Sequence, residues 1–285
     1  MSDDSLRLSF EFFPPKTDAG RVKLAEVRDA LAEFEPDFFS VTYGAGGSTR
    51  DNTKNLVKQF NALDTPVAPH LSFGGDDADD IKALLSEYRD AGIDRVVALR
   101  GDMPSGIGGS YQLVYANELV AFIRQHFGDS FELEVAAYPE IHPQAKSYED
   151  DIRYLKGKFD AGADSGITQY FYNPDAYFYF LDQCAKVGID KPIYPGIMPI
   201  INFNNLMRFS DSCGADIPRW LRKRLESYQH DPEALRDFGT ELVSELCETL
   251  LENGAPGLHF YTMNQAEPIA RIVKNLGWDS SAETL

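Results

Sequence analysis

Cysteine is scarce in this chain. Cys184, Cys213 and Cys247 are spread widely through 285 residues and form no C-x-x-C pair. Such spacing argues against a disulfide framework or a thiolate zinc site, and reads as three reduced, mostly core thiols. Positive charge is short as well: 27 Lys and Arg stand against 45 Asp and Glu, a net charge of −18. Nucleic acid and anionic membrane surfaces both require local positive potential, so neither is expected as a partner. Any anionic ligand must instead be met by a few placed cations and helix N-termini. No apolar run approaches bilayer-spanning length, and Met1-Ser2-Asp3-Asp4 lacks a signal peptide's basic and apolar regions, so a cytoplasmic location is expected. The motifs GxxxxGK[ST], HExxH and GxSxG are missing. Gly44-x-Gly46 lies between a strand pattern and a helix pattern, but Thr49 occupies the third-glycine position of a dinucleotide fingerprint. That loop therefore reads as a tight, ligand-lining turn.

What is present is organised around Arg7-Leu8-Ser9-Phe10-Glu11-Phe12-Phe13-Pro14-Pro15. Period-2 alternation, aromatic content and a terminating double proline make it a strand. Leu8, Phe10 and Phe12 share one face, while Arg7, Ser9, Glu11 and Phe13 share the other. A strand so apolar is expected to be covered on both sides, placing Glu11 inside the protein near the strand's C-terminal end. Burying a lone carboxylate is costly. Glu11 is thus either a structural partner of Arg7 or Arg100, or an acid/base group at the mouth of a parallel sheet.

Further strands are expected over 38–42, 67–71, 95–99, 133–137, 166–171, 193–196 and 258–262, alternating with amphipathic helices over 17–34, 50–63, 78–91, 111–127, 148–161, 174–187 and 266–276. Gly92, Gly162, Gly188 and Gly254 each fall where a helix needs a left-handed cap. Strand ends mostly recur every thirty residues or so, the size of one βα unit. The pattern predicts a single-domain (β/α)₈ barrel over 1–285, with 203–210 following the seventh strand and a helical insertion over 216–252. An open doubly wound sheet is the competing arrangement.

In a barrel the chemistry sits at the C-terminal strand ends. Those positions hold Glu11, Thr42-Tyr43, His70, Ser72, Arg100-Gly101-Asp102, Tyr138, Glu140, His142, Gln169, Tyr261 and Asn264. Aromatics, amides and charges together suit a polar ligand with a flat ring. Arg100-Gly101-Asp102 reads as a strand-end ion pair, or as a place where a planar ligand approaches the glycine backbone. The two prolines of Tyr138-Pro139-Glu140-Ile141-His142-Pro143 hold Tyr138 and His142 in fixed relative positions. His126 and His230 read as surface residues, and His259 as a hydrogen-bonded core histidine.

Several of these segments are recognisable. Phe10-Glu11-Phe12-Phe13-Pro14-Pro15-Lys16, Val41-Thr42-Tyr43-Gly44-Ala45, Ala98-Leu99-Arg100-Gly101-Asp102, Ala137-Tyr138-Pro139-Glu140-Ile141-His142-Pro143, Ile167-Thr168-Gln169 and Leu258-His259-Phe260-Tyr261-Thr262-Met263-Asn264 closely resemble the methylenetetrahydrofolate reductases, in order and with compatible spacing. The resemblance implies a (β/α)₈ barrel that holds FAD at the strand C-termini without a Rossmann domain. It also implies reduction of 5,10-methylenetetrahydrofolate to 5-methyltetrahydrofolate with NADH or NADPH, and assembly as a homo-oligomer. Implied flavin contacts are Tyr43, Ala45, His70, Arg100, Gly101, Asp102, Tyr115, Ala116, Tyr138, His142, Ala145, Asp151 and Lys158. Thr42 matches a nicotinamide contact. Gln169, Asn205, Phe209 and Gln265, with Asp102, fall at folate positions, and Glu11 and Asp102 at catalytic ones. Three residues depart from the pattern: Tyr154 and Gly157 replace polar or basic flavin contacts, and Gln265 replaces an arginine beside the folate's glutamate tail. The alternatives are another flavin-dependent barrel, resembling proline dehydrogenase, or a folate- or flavin-binding module without turnover.

Overall fold

The structure is a computed structural model and describes residues 6–43, 47–73, 77–100 and 115–278. The first strand, β1 (Arg7–Phe12), stops where Pro14 and Pro15 approach. Its alternation decides the architecture. Leu8, Phe10 and Phe12 face outward and are buried under helices, with the Phe12 ring edge-on to Phe60 at 5.3 Å and to Phe39 at 5.2 Å. Arg7, Ser9 and Glu11 face inward.

The chain continues α1 (Asp18–Ala32), β2 (Phe38–Val41), α2 (Gly47–Asn61), β3 (Val67–Leu71), α3 (Ala78–Asp90), β4 (Arg95–Ala98), α4 (Ala116–Phe127), β5 (Glu132–Ala137), α5 (Tyr148–Asp160), β6 (Ser165–Thr168) and α6 (Pro174–Lys186). Then come β7 (Ile193–Tyr194), β8 (Gly196–Ile197), α7 (Phe203–Cys213), α8 (Arg219–Ser227), α9 (Pro232–Glu252), β9 (Gly257–Tyr261) and α10 (Glu267–Asn275). All strand pairs are parallel, in the order β7-β6-β5-β4-β3-β2-β1-β9-β8.

The expected seventh strand is split. Pro195 separates β7, which pairs with β6, from β8, which pairs with β9, so one short segment closes the ring from both sides. Proline has no N–H for the ladder, though the Pro195 carbonyl still accepts from His259 N at 3.0 Å. At Gly196 a Cβ would stand 2.1 Å from the Thr168 carbonyl oxygen and 2.6 Å from the Tyr261 ring, so only glycine lets these strands close. The helix-ending glycines Gly92, Gly162, Gly188 and Gly254 do adopt positive φ. The helical insertion over 216–252 consists of two helices, α8 and α9. The chain leaves α8 at Tyr228, and Asp231 caps α9 by accepting from Ala234 N, with Pro232 in the first turn. α9 packs on α6 and α10 and so completes the outer ring.

The end of the barrel opposite the candidate site is closed by an ion-pair cluster. Glu134, 1% exposed in its side chain, accepts from Arg7 at 2.8 and 3.1 Å, from Arg95 at 2.5 Å, and from the Ser165 hydroxyl. Arg7 also stacks on Tyr194, its guanidinium carbon 3.2 Å from the ring centroid. Burial pushes the Glu134 carboxyl up, but Arg7, Arg95 and Ser165 outweigh it, and the group is held below the usual carboxylate range.

Candidate active site

Glu11 ends the inward row of β1, its side chain 18% exposed at the barrel mouth. Its neighbours differ from the expected arginines, for Arg7 is engaged by Glu134 and Arg100 donates to Gln144 at 2.6 Å. The groups facing Glu11 Oε2 are imidazoles: His70 Nε2 at 3.4 Å and His259 Nε2 at 3.7 Å. Both nitrogens are buried and make no hydrogen bond among the described residues. His259 is held from behind, its Nδ1 sharing a proton with Ser9 Oγ at 2.7 Å. It is thus the hydrogen-bonded core histidine expected, with a second nitrogen aimed at the site. Burial lowers the His70 pKa, Glu11 pulls it back up and His259 pushes it down again, so His70 is neutral at pH 7.

The backbone around Glu11 is gripped by the β9 end. Thr262 Oγ1 donates to the Glu11 carbonyl at 2.6 Å, while Asn264 accepts from Phe13 N at 3.1 Å and donates to Phe13 O at 2.9 Å. Met263 and Asn264 reach these positions at φ 52° and 53°, left-handed values uncommon for residues with side chains. Tyr261, beside Glu11 in the register, spans the mouth and donates to Thr168 O at 2.7 Å.

A second group gathers cations beyond β4 and β5. Arg100 lies over the exposed Tyr115 ring at 5.6 Å, next to buried Ala116. Tyr138 and His142 meet edge to face at 4.5 Å. His142 N donates to Asp151 at 2.8 Å, His142 O accepts from Ala145 N at 2.8 Å, and Lys158 Nζ donates to the Ala136 carbonyl at 2.7 Å. Burial depresses Lys158 to about 8, against the pull of Asp151, and also lowers His142 and raises Asp151. Ile141 sits at φ 73° in this loop, a true outlier for a β-branched side chain and a sign of a conformation held for a purpose. Of the departures, Tyr154 is half exposed, and a Cβ on Gly157 would meet nothing within 4 Å.

The third group is an open cleft against α7, lined by Met198, Leu206, Phe209 and Met263 with the amides of Asn205 and Gln265. Three expected substrate residues therefore converge here. Gln169 does not line it. Its Oε1 accepts from Tyr170 N at 3.0 Å, and it borders a smaller crevice with Tyr138, Glu140 and Cys213. In that crevice Glu140 accepts from Asp216 N at 2.8 Å, and burial raises its carboxyl to about 7. Thr42 follows β2, its N donating to Phe12 O at 2.9 Å, and Tyr43 beside it is half-buried. Ala45, Gly101 and Asp102 lie outside the described residues.

A sequence model described as methylenetetrahydrofolate reductase matches residues 1–277. Curated 5,10-methylenetetrahydrofolate reductases include that of Escherichia coli, 37% identical over 95% of this chain and 91% of its own length, and that of Buchnera aphidicola, 39% identical over 96% and 93%. The Arabidopsis thaliana methylenetetrahydrofolate reductase (NADH) 1 is 39% identical over 94% of this chain and 48% of its own length. Among solved structures, a Clostridium thermocellum protein described as binding two copies of 5-methyl-5,6,7,8-tetrahydrofolic acid shares the fold, with TM-score 0.64 and 19% identity over 95% of this chain and 94% of that one.

Proposed function

Because the chain belongs to the methylenetetrahydrofolate reductase family, we propose that it reduces 5,10-methylenetetrahydrofolate to 5-methyltetrahydrofolate, drawing electrons from NADH or NADPH through bound FAD. The observation that carries this reading is Glu11, a carboxyl at the barrel mouth facing two buried imidazole nitrogens that make no hydrogen bond among the described residues.

FAD fits the residues present. Lys158, on α5 behind β5, is buried deeply enough to lower its pKa to about 8, and among the described residues Asp151 is the one anion acting on it. Arg100 and His142 stand nearby, with the rings of Tyr115 and Tyr138. A diphosphate would bring negative charge to Lys158 and Arg100, and a flat ring would lie against the aromatics. Arg100, Tyr115, Tyr138, His142 and Lys158 are the residues that would hold it. When bound, the flavin supplies a carrier that takes a hydride from the nicotinamide and delivers it to the one-carbon unit.

The protein's own part is proton delivery and placement. The methylene bridge becomes an acceptor when its bond to one folate nitrogen breaks, leaving an iminium on the other. Glu11 gives a proton to the departing nitrogen, so that one proton and one hydride convert the bridge to a methyl group. His70 and His259 flank the Glu11 carboxyl, which is open enough at the mouth to regain its proton from solvent. Gln169 and the α7 cleft receive the folate, with Asn205 and Phe209 along its body and Gln265 beside its glutamate tail. Asp102 hydrogen-bonds the pterin, and Thr42 contacts the nicotinamide. Assembly as a homo-oligomer belongs to the same reading.

Anaerobic titration of purified protein tests it. A yellow protein bleached by NADH or NADPH, and recoloured by methylenetetrahydrofolate, meets the expectation. A colourless protein that does not take up FAD, or a reduced one that the folate leaves bleached, rejects it.

A further inference from the structure

Among the described residues, the cleft against α7 has no charged side chain in its lining, only apolar groups and the amides of Asn202, Asn205 and Gln265. Under the function proposed above, on which this inference rests, its ligand is anionic at one end. A reduced folate ends in a glutamate whose carboxylates are ionised at neutral pH. In a chain of net charge −18, an anion is not accommodated without a placed cation.

Two arginines are candidates. Arg271 is committed, donating to Asp237 at 2.7 Å and to Glu267 at 3.4 Å. Arg208 is not. It is exposed on α7, and among the described residues it has no acidic partner. Its Nη2 stands 3.4 Å from Asn205 Oδ1, and its guanidinium carbon lies 5.2 Å from the Phe209 ring centroid. Asn205 and Phe209 are both lining residues, so the cation is held at the rim of the cleft. A bond of that length to a neutral amide is weak, and a carboxylate displaces it readily. The Phe209 ring meanwhile keeps the guanidinium close to the cleft.

We propose that Arg208 is the specificity-determining cation that binds the substrate's glutamate carboxylate, with Gln265 across the cleft adding a neutral amide. The arginine lies far from the hydride-receiving carbon, so it holds ground state and transition state alike and acts on KM. Being exposed, it is screened by salt.

The test is a cycle of two substrates and three proteins. Wild type, Arg208→Gln and Arg208→Lys are assayed with methylenetetrahydrofolate and with the analogue lacking the glutamate. Arg208→Gln is expected to raise KM about fivefold for the whole substrate at unchanged kcat, the usual gap between a charged and a neutral hydrogen bond. The rise disappears for the truncated substrate, is partly rescued by lysine, and shrinks at high salt. An equal change for both substrates, or none for either, overturns the assignment of Arg208 while leaving the proposed reaction intact. Failure of the wild type to turn over either folate overturns both.

Discussion

Glu11→Gln tests the proton step directly. The replacement keeps shape and hydrogen-bonding capacity but removes the transferable proton. Its structural cost is small. The two imidazole nitrogens lie at 3.4 and 3.7 Å from the carboxylate, longer than strong hydrogen bonds, and the side chain is 18% exposed. Stability should change by less than about 1 kcal/mol, a shift of roughly 2 °C in Tm for a domain of this size. The catalytic cost is large, because a positioned general acid contributes about 10²–10⁴-fold, or about 3–5 kcal/mol of barrier.

Stopped-flow measurement of the two half-reactions separates these effects. Flavin reduction by the nicotinamide needs no acid at the folate nitrogen and should proceed at the wild-type rate. Re-oxidation by methylenetetrahydrofolate should slow by about 100-fold or more. Glu11 is also the group that pulls the His70 pKa back up, so in the variant His70 stays neutral and cannot replace the lost acid at pH 7. Re-oxidation within about threefold of wild type would refute the role of Glu11. Equal slowing of both half-reactions would point instead to a distorted site.

Two further outcomes follow from the charges. Lys158, at about 8, is cationic below that pH and neutral above it, so FAD affinity should fall as pH rises through 8, and Lys158→Met should weaken binding at pH 7 by about tenfold or more and abolish the pH dependence. The sign reverses for the apoprotein: its folded pKa lies below the ordinary 10.5, so burial of this charge costs stability at neutral pH and Lys158→Met should raise the apoprotein's Tm; an unchanged pH profile for FAD in the variant excludes Lys158 as the phosphate partner. Glu134→Gln leaves Arg7 and Arg95 buried without their shared anion and should cost about 3–5 kcal/mol, lowering Tm by roughly 6–10 °C in thermal melts with or without flavin; a loss below about 1 kcal/mol would show that the cluster contributes little.

The barrel was legible because its signals are local and repeated. The alternation of β1, the left-handed glycines after α3, α5, α6 and α9, and the βα spacing each report one unit at a time. The break in the seventh strand was not legible, although Pro195 and Gly196 stand in plain view. What makes them necessary is the approach of Thr168 and Tyr261 from strands far away in sequence. The same limit applies to the site. Strand-end position picked out Glu11, His70, Tyr138 and His142, but the partner of Glu11 was sought among arginines. Which inward side chain meets which depends on barrel register, and register puts His259, 248 positions later, beside Glu11 and sends Arg7 to Glu134. The left-handed pair Met263-Asn264 carried no warning, since neither residue is glycine.

The interior of one barrel thus places two carboxylates in opposite situations. Glu134 is 1% exposed and saturated: two guanidiniums and a hydroxyl occupy its oxygens, and they hold it ionised against the cost of burial. A group so held exchanges no proton with a ligand, and its removal is felt in stability. Glu11 lies on the same inward row as Arg7, at the other end of β1, where the end of β9 grips its backbone rather than its carboxyl. Its oxygens face imidazoles at more than 3 Å and open toward the mouth. Backbone fixation with an uncommitted head group is what a proton donor requires, because position is secured without neutralising the proton-bearing atoms. The division follows from β1 alone, since residues two apart share the inward face and a short strand carries it from the sealed end of the barrel to the open one.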